Sequence, residues 1–273
     1  MKISIITINY NNGEGLECTV QSVVNQACSD LIEHIVIDGG SNDNSRNIID
    51  TYRQHFAYWC SEKDRGIYPA MNKGIARASG DYVLFLNSGD FPEPGSLRKV
   101  ADLLTGDVII YGDLYFQDLH GRRTAITYPD LPTTEYLLER SLGHPATFFR
   151  RELFNAYGYN ESLRIVSDWE FLFRKIVLEA CRTKHIPVFI STFMTDGISS
   201  TQTELCQKEM RECLSRLLSP AIADELHRLY AIEKRYAPFA ALENHSHTRR
   251  RVLKFMRLLL SFHKSDSRIS AHS

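Results

Sequence analysis

The sequence lacks any CxxC pair, and its six cysteines (Cys18, Cys28, Cys60, Cys181, Cys206 and Cys213) show no spacing with histidine that suits a metal. A zinc site is therefore unsupported, and buried free thiols in a reducing compartment are expected. Both GxGxxG and GxxxxGK[ST] are missing, which disfavours a dinucleotide dehydrogenase and a P-loop NTPase. No apolar run approaches the ~18 residues that cross a bilayer. No signal peptide fits either, because Met1-Lys2 leads into a short run, Ile3 to Ile8, that stops at Asn9. The simplest location is the cytosol. No nucleic-acid reader motif or basic-aromatic platform is present, so nucleic acid is not an expected partner.

What is present is an ordinary globular composition over 273 residues, with 43% apolar and 24% charged residues. That suits one large domain or one domain with appendages, and it needs no disulfide or structural metal. The net charge of −1 hides an uneven distribution. Arg249, Arg250, Arg251, Lys254, Arg257 and Lys264 put six positive charges into 249–264 with no acid among them, leaving −7 on the rest. An anionic surface is a natural partner for such a segment.

Strand and helix patterns alternate from the start. Ile3 to Ile8 reads as a buried strand, Leu16 to Ala27 as a helix, and His34 to Ile37 as a second strand. Ser45 to Tyr52 (helix), Ala57 to Cys60 (strand), Ile67 to Ala78 (helix) and Tyr82 to Leu86 (strand) continue the series. Such alternation predicts an open, mostly parallel α/β sheet with ligands outside the carboxyl ends of the strands. Those ends read Asn9, Asp38, Ser61-Glu62-Lys63-Asp64 and Asn87-Ser88-Gly89-Asp90. Beyond Pro94 the pattern becomes mixed, with strands near 108–116, 124–128 and 146–149, a helix over 166–180, and a strand over 187–194. From about Glu204 the chain is predicted helical.

Acids at strand ends suit a hard divalent cation held against phosphate oxygens, which often takes only one or two protein carboxylates. Asp90 is the sharpest candidate, although Asn87 to Asp90 also suits a plain polar turn. Asp168 falls in the first turn of its helix, where the macrodipole favours its anion. It could accept a proton from a hydroxyl or serve only the helix start. His144 could meet a phosphate or hydrogen-bond a loop.

In order and spacing these segments resemble the family 2 glycosyltransferases, in particular the bacterial polysaccharide-assembly branch typified by colanic-acid biosynthesis. The matching stretches are Ser4 to Asn11, Val36 to Asp43, Ser61 to Tyr68 with Ala70 to Gly74, Leu84 to Asp90, His144 to Phe149 and Ser167 to Glu170. The resemblance implies a GT-A fold, in which an open mixed, mostly parallel sheet is flanked by helices and followed by a helical carboxyl-terminal extension. The catalytic domain would occupy 1–202, with a nucleotide-binding half (1–91) and an acceptor-binding half (92–202); the extension would occupy 203–273. It further implies inverting transfer of a sugar from a nucleotide-diphosphate donor to a saccharide acceptor, lipid-linked in this branch. Thr7, Asn9, Asp38 and Asp64 would then line the base and ribose pocket, with Asn72, Asn87 and Ser88 also on the donor side. Asp90 would hold Mg2+ or Mn2+, and Asp168 would be the general base. His144 and Ser199 would lie near the acceptor or diphosphate. Three positions depart from the family pattern: Gly89 and Ser167 stand where many relatives carry an acid, and Asp196 stands where a glycine is usual.

Two other functions fit a similar sheet. A nucleotidyltransferase would release diphosphate, but commonly needs a basic glycine-rich loop after the first strand, and Tyr10 to Gly15 has no Lys or Arg. A nucleotide-sugar-binding protein without turnover is suggested by Gly89. In the basic segment, Val252, Phe255, Met256 and Leu259 follow i, i+3, i+4, i+7 with the cations largely opposite. Such a helix could pack on the domain or lie at the inner face of the plasma membrane.

Overall fold

The computed structural model describes residues 1–226 and 228, except 27, 29 and 198–200. Ser199 and the basic segment 249–264 lie outside the described residues. Contacts divide the chain into a compact unit, Met1–Cys213, and a second unit that begins at Leu214. The first unit thus runs past residue 202, into the helix that follows the last strand.

The first unit is built on a nine-stranded sheet among the described residues. Strands β1 (Ile3–Asn9), β2 (Ile32–Asp38), β3 (Tyr58–Ser61) and β4 (Tyr82–Phe85) pair in parallel in the order β3-β2-β1-β4. Every residue of β1 is buried, the pattern of a parallel strand covered on both faces. Helices α1 (Gly13–Val24) and α2 (Ser45–Tyr52) cover one face through Leu16, Val20, Val36, Ile48 and Ile49. Helix α3 (Ile67–Arg77) covers the other and approaches so closely that a Cβ on Gly74 would lie 2.4 Å from Ile6 Cγ2. Only glycine fits there.

The second half is mixed, as its looser pattern predicts. Strands β6 (Ile109–Gln117), β8 (Thr147–Arg150) and β9 (Thr183–Met194) continue the sheet beyond β4, with the short β5 (Phe91–Pro92) antiparallel to β9 and β7 (Arg123–Ile126) antiparallel to β6. Strand β9 begins earlier than its sequence suggests. The ladder to β6 jumps from Gly112↔Ile186 to Asp113↔Phe189, so Pro187, which has no amide to donate, is absorbed in a bulge.

Helices α4 (Ser96–Ala101), α5 (Thr134–Glu139) and α6 (Ser167–Phe173) lie between these strands. The continuous helix expected over 166–180 is instead α6 followed by a π-helical turn, Arg174–Leu178. Trp169 is buried and its Nε1 donates to the Leu137 carbonyl at 2.5 Å, tying α6 to α5. Helix α7 (Thr203–Leu217) follows β9. The expectation of buried thiols holds for Cys28 and Cys213, whereas Cys18 is exposed.

Candidate active site

In-register pairing of β1 with β2 and of β2 with β3 sets Asn9, Asp38 and Ser61 side by side at the strands' carboxyl ends. Asp38 is fully buried there. Its Oδ1 accepts from Asn9 Nδ2 at 2.7 Å and Ser41 Oγ at 2.5 Å, and its Oδ2 from Ser61 Oγ at 2.6 Å and the Ser41 amide at 3.0 Å. Burial alone would push this carboxyl up, but the bonds from Ser41, Ser61 and Asn9 outweigh it and hold the group below its ordinary value.

Three residues expected on the donor side do not reach a cavity in that role. Asp38 spends its oxygens on holding the turn after β2 against β3, beneath the site. Thr7 is fully buried, with its hydroxyl 2.9 Å from His34 Nε2. Asn72 bridges α3 to the following half, donating to the Tyr159 carbonyl at 2.9 Å and accepting from the Tyr159 amide at 2.8 Å. In this structure all three are engaged by protein groups, for one reason: a strand-end or helix position does not reveal whether neighbouring loops take up its side chain.

Asn9, Asp64, Asn87 and Ser88 do converge, on a cavity of about 560 Å³. Asp64 Oδ2 and Asn87 Oδ1 are buried there without a protein partner. Such orphaned acceptors point to groups that a ligand supplies. Lys73 Nζ pairs with Asp64 Oδ1 and bonds Glu62 Oε1 at 2.7 Å, and these two partners raise the lysine above its ordinary value. Lys63, Arg65 and Tyr10 also line the cavity. Tyr10 is 67% exposed, and its ring lies over Gly39, where a Cβ would meet Cδ2 at 3.3 Å.

The decisive geometry lies next to this cavity. Asp90, immediately before β5, is 3% exposed. Its Oδ1 accepts from the Met194 amide at 3.0 Å, while Oδ2 is buried with no hydrogen-bond partner. Burial pushes the carboxyl up to about 7, against the opposing pull of His144 and the Met194 amide. His144 Nε2 stands 3.9 Å from Asp90 Oδ2, and His144 Nδ1 stands 3.7 Å from Asp168 Oδ2. The imidazole thus sits between the two carboxylates, and its Nε2 also lacks a hydrogen bond. Both separations exceed hydrogen-bond length, which leaves room for them to tighten around a ligand.

Asp168 Oδ1 accepts from the Tyr68 hydroxyl at 2.9 Å, and that hydroxyl also contacts the Ile165 carbonyl. Burial, reinforced by the Asp168 charge, holds the phenol well above its ordinary value, so Tyr68 is a permanent donor. The turn before Asp168 is fixed from α7, where Glu209 accepts from the amides of Arg164, Ile165 and Val166 at 2.8, 3.0 and 3.3 Å. Ser167, in place of the usual acid, is fully buried and its Oγ accepts from the Asn160 amide at 2.5 Å. Asp168, His144 and Tyr68 open onto a second cavity of about 510 Å³, walled by Phe116, Tyr128, Tyr136 and Phe193.

Gly89 explains the single acid in this turn. Its φ of +107° lies where side chains are rarely tolerated, although a Cβ there would meet nothing closer than 3.6 Å. Among the described residues no group of three or more His, Cys, Asp or Glu could hold a metal ion on its own. A cation that relies on substrate phosphates for most of its ligands would fit Asp90, whose buried Oδ2 has no hydrogen-bond partner.

The sequence profile of glycosyl transferase family 2 matches residues 4–176, which contain every one of these side chains except Phe193 and Glu209. The chain belongs to that family. It is 35% identical over 206 residues to an uncharacterized glycosyltransferase of Mycobacterium tuberculosis, covering 72% of this chain and 77% of that one. It is 30% identical to a PGL/p-HBAD biosynthesis glycosyltransferase of Mycobacterium bovis, covering 72% and 79%. Among solved structures, S. aureus TarS 1–349 in complex with UDP-GlcNAc superposes with a TM-score of 0.62 at 19% identity, over 82% of this chain and 70% of that one. The mannosyltransferase PcManGT of Pyrobaculum calidifontis, in complex with GDP-Man and Mn2+, superposes with a TM-score of 0.61 at 15% identity, over 95% and 80%. The fold of this glycosyltransferase is GT-A.

Tyr68, Lys63, Arg65, Lys73 and Glu209 escaped the sequence-based assignment of roles. The first four lie within or beside the Ser61 to Tyr68 motif, so the motif itself carried the signal. Glu209 had none, because its three amide partners are more than 40 residues away.

Proposed function

We propose that this chain is an inverting glycosyltransferase that uses Mg2+ or Mn2+. It would move a sugar from a nucleotide-diphosphate sugar to a hydroxyl of a lipid-linked saccharide during bacterial surface polysaccharide assembly. The observation that carries this is the placement of Asp90 and Asp168 on either side of His144, where a cavity lined by Asp64 and Asn87, with their orphaned acceptors, adjoins an aromatic one.

The donor lies in the cavity that Asp64 and Asn87 line, where Lys63 and Arg65 offset the diphosphate charge and Asp64 and Asn87 meet its hydroxyls or base. The acceptor enters the aromatic cavity with its hydroxyl against Asp168. Tyr68 occupies Oδ1 and leaves Oδ2 for the proton. As the acceptor oxygen bonds to the anomeric carbon, its proton passes to Asp168. The bond from that carbon to the phosphate oxygen breaks, and its electron pair leaves with the nucleoside diphosphate. One displacement inverts the centre, and no covalent nucleophile is needed. A divalent cation held by Asp90 would offset charge on the departing diphosphate.

The test is a panel of nucleotide sugars with and without manganese, followed by NMR of the product linkage. Metal-dependent release of nucleoside diphosphate with inverted anomeric configuration is expected. Release of diphosphate from a nucleoside triphosphate and a sugar phosphate would identify a nucleotidyltransferase instead.

No helix among the described residues is long and apolar enough to cross a membrane. We place the protein in the cytoplasm, peripherally at the inner face of the plasma membrane, through the cations of 249–264. Full-length protein should sediment with vesicles containing phosphatidylglycerol at low salt and detach at high salt. Equal binding to neutral vesicles would contradict that placement.

A further inference from the structure

We propose that Arg140 forms an anion subsite in the aromatic cavity, so that the acceptor carries a phosphate ester close to the sugar that receives the new linkage. This rests on the assignment of that cavity to the acceptor.

The cavity wall is chemically uneven. Tyr68, Phe116, Tyr128, Tyr136 and Phe193 present aromatic surface, and Asp168 is the only carboxylate in the lining. Aromatic faces suit the apolar side of a sugar ring and repel nothing neutral, so a neutral acceptor would need no cation here. Arg140 nonetheless lines the same cavity. The residue is exposed and makes no ion pair with a carboxylate among the described residues. The chain leaves α5 at this residue, where the Arg140 amide donates to the Tyr136 carbonyl at 2.9 Å and the backbone turns extended. The root of the side chain is thus fixed at the rim rather than carried on a loose loop. Tyr136 senses the charge: burial pushes its phenol up, and Arg140 pulls it part of the way back.

The donor's diphosphate does not account for this cation. Lys63 and Arg65 line the other cavity, and the two cavities share only Ile67 in their linings. A guanidinium presents a planar pair of donors that matches a phosphate, and beside apolar walls such a bond is stronger than in open water. Asp168 at one side and Arg140 at another therefore define an acceptor with a hydroxyl at one end and an anion at the other. A glycosyl phosphate and a glycosyl diphospholipid share that chemistry.

The experiment compares three acceptors built on one sugar: a glycosyl 1-phosphate, a dodecyl diphosphoglycoside, and a neutral dodecyl glycoside. The two anionic acceptors should exceed the neutral one at least ~10-fold in kcat/KM, the scale of one charge-assisted hydrogen bond. Arg140→Gln should raise KM for the anionic acceptors by a similar factor while KM for the donor holds, and Arg140→Lys should recover part of the loss. Preference for the dodecyl diphosphoglycoside over the glycosyl 1-phosphate would assign the anion to a lipid carrier, and the reverse to a free sugar phosphate. Equal use of neutral and anionic acceptors, or an equal loss on all three in Arg140→Gln, would overturn the proposal. Calorimetry with benzyl phosphate and benzyl alcohol separates this from the function itself. If no nucleotide sugar is turned over, yet benzyl phosphate binds the parent protein and not Arg140→Gln, the subsite stands and the transferase reading falls.

Discussion

Tyr68 donates its hydroxyl to Asp168 Oδ1 at 2.9 Å, joining the third helix to the start of the sixth beside the aromatic cavity. The bond orients one oxygen of the carboxylate and leaves the other for the substrate. Tyr68→Phe removes the oxygen with little change of shape. Its kcat should fall about 10-fold, the scale of one hydrogen bond to a charged group, while KM for the donor stays within about twofold. Steady-state kinetics with saturating acceptor would check this.

Glu209 acts at one remove. It is 6% exposed and satisfies three backbone amides in the turn that leads to Asp168. Glu209→Ala strands those donors and should cost about 3 kcal/mol, given roughly 1–3 kcal/mol for each buried unsatisfied group. Urea unfolding would report the loss, and kcat should fall with it. Glu209→Gln should retain more of both, because one amide oxygen still accepts.

Gly89 sets a limit on engineering the turn that carries Asp90. Restoring the acid found in many relatives, Gly89→Asp, meets open space but imposes a φ of +107° on a side chain. A cost of about 1–2 kcal/mol in stability is expected, the scale of a non-glycine residue in a sparsely populated backbone region. Thermal unfolding of the variant with and without manganese would check it. Unchanged stability without metal would remove the backbone explanation for the missing acid.

His34 should give the fold an acid limb. Burial holds its imidazole down to about 3, whereas the unfolded chain would titrate near its ordinary value of 6.5. Between those values the unfolded state binds a proton that the folded state does not. The stability is therefore intact above about 6.5 and declines as pH falls toward 3, by about 1.4 kcal/mol per pH unit. Urea unfolding at pH 7, 6 and 5 should show that slope in the parent protein. The slope should flatten in His34→Gln, whose side chain can still meet Thr7.

Much of this arrangement was legible in the sequence because apolar β-branched runs mark parallel strands, and parallel strands present their carboxyl ends to ligands. Asn9, Asp64, Asn87, Ser88 and Asp90 follow from that rule. Asp38 obeys the same rule, but its neighbours Ser41 and Ser61 consume both oxygens, a fact set by loop conformation rather than by position. His144 lies outside any regular element except a single 3-10 turn, so only the folded chain places it between two acids. The π-helical turn after Phe173 keeps the apolar spacing of an α-helix, so periodicity could not reveal it. The aromatic wall of the second cavity draws on Tyr128, Tyr136 and Phe193 from separate segments of the mixed half, where no local pattern links them.

The most direct measurement is transfer by Asp168→Asn set against its donor affinity, since the substitution keeps the shape of the side chain and removes its capacity to take a proton. Transfer should fall at least ~100-fold, with the Kd for the nucleotide sugar within about twofold of the parent. A variant that transfers at the parental rate would show that Asp168 is not the base and would contradict the pairing of Asp90 and Asp168 in one reaction.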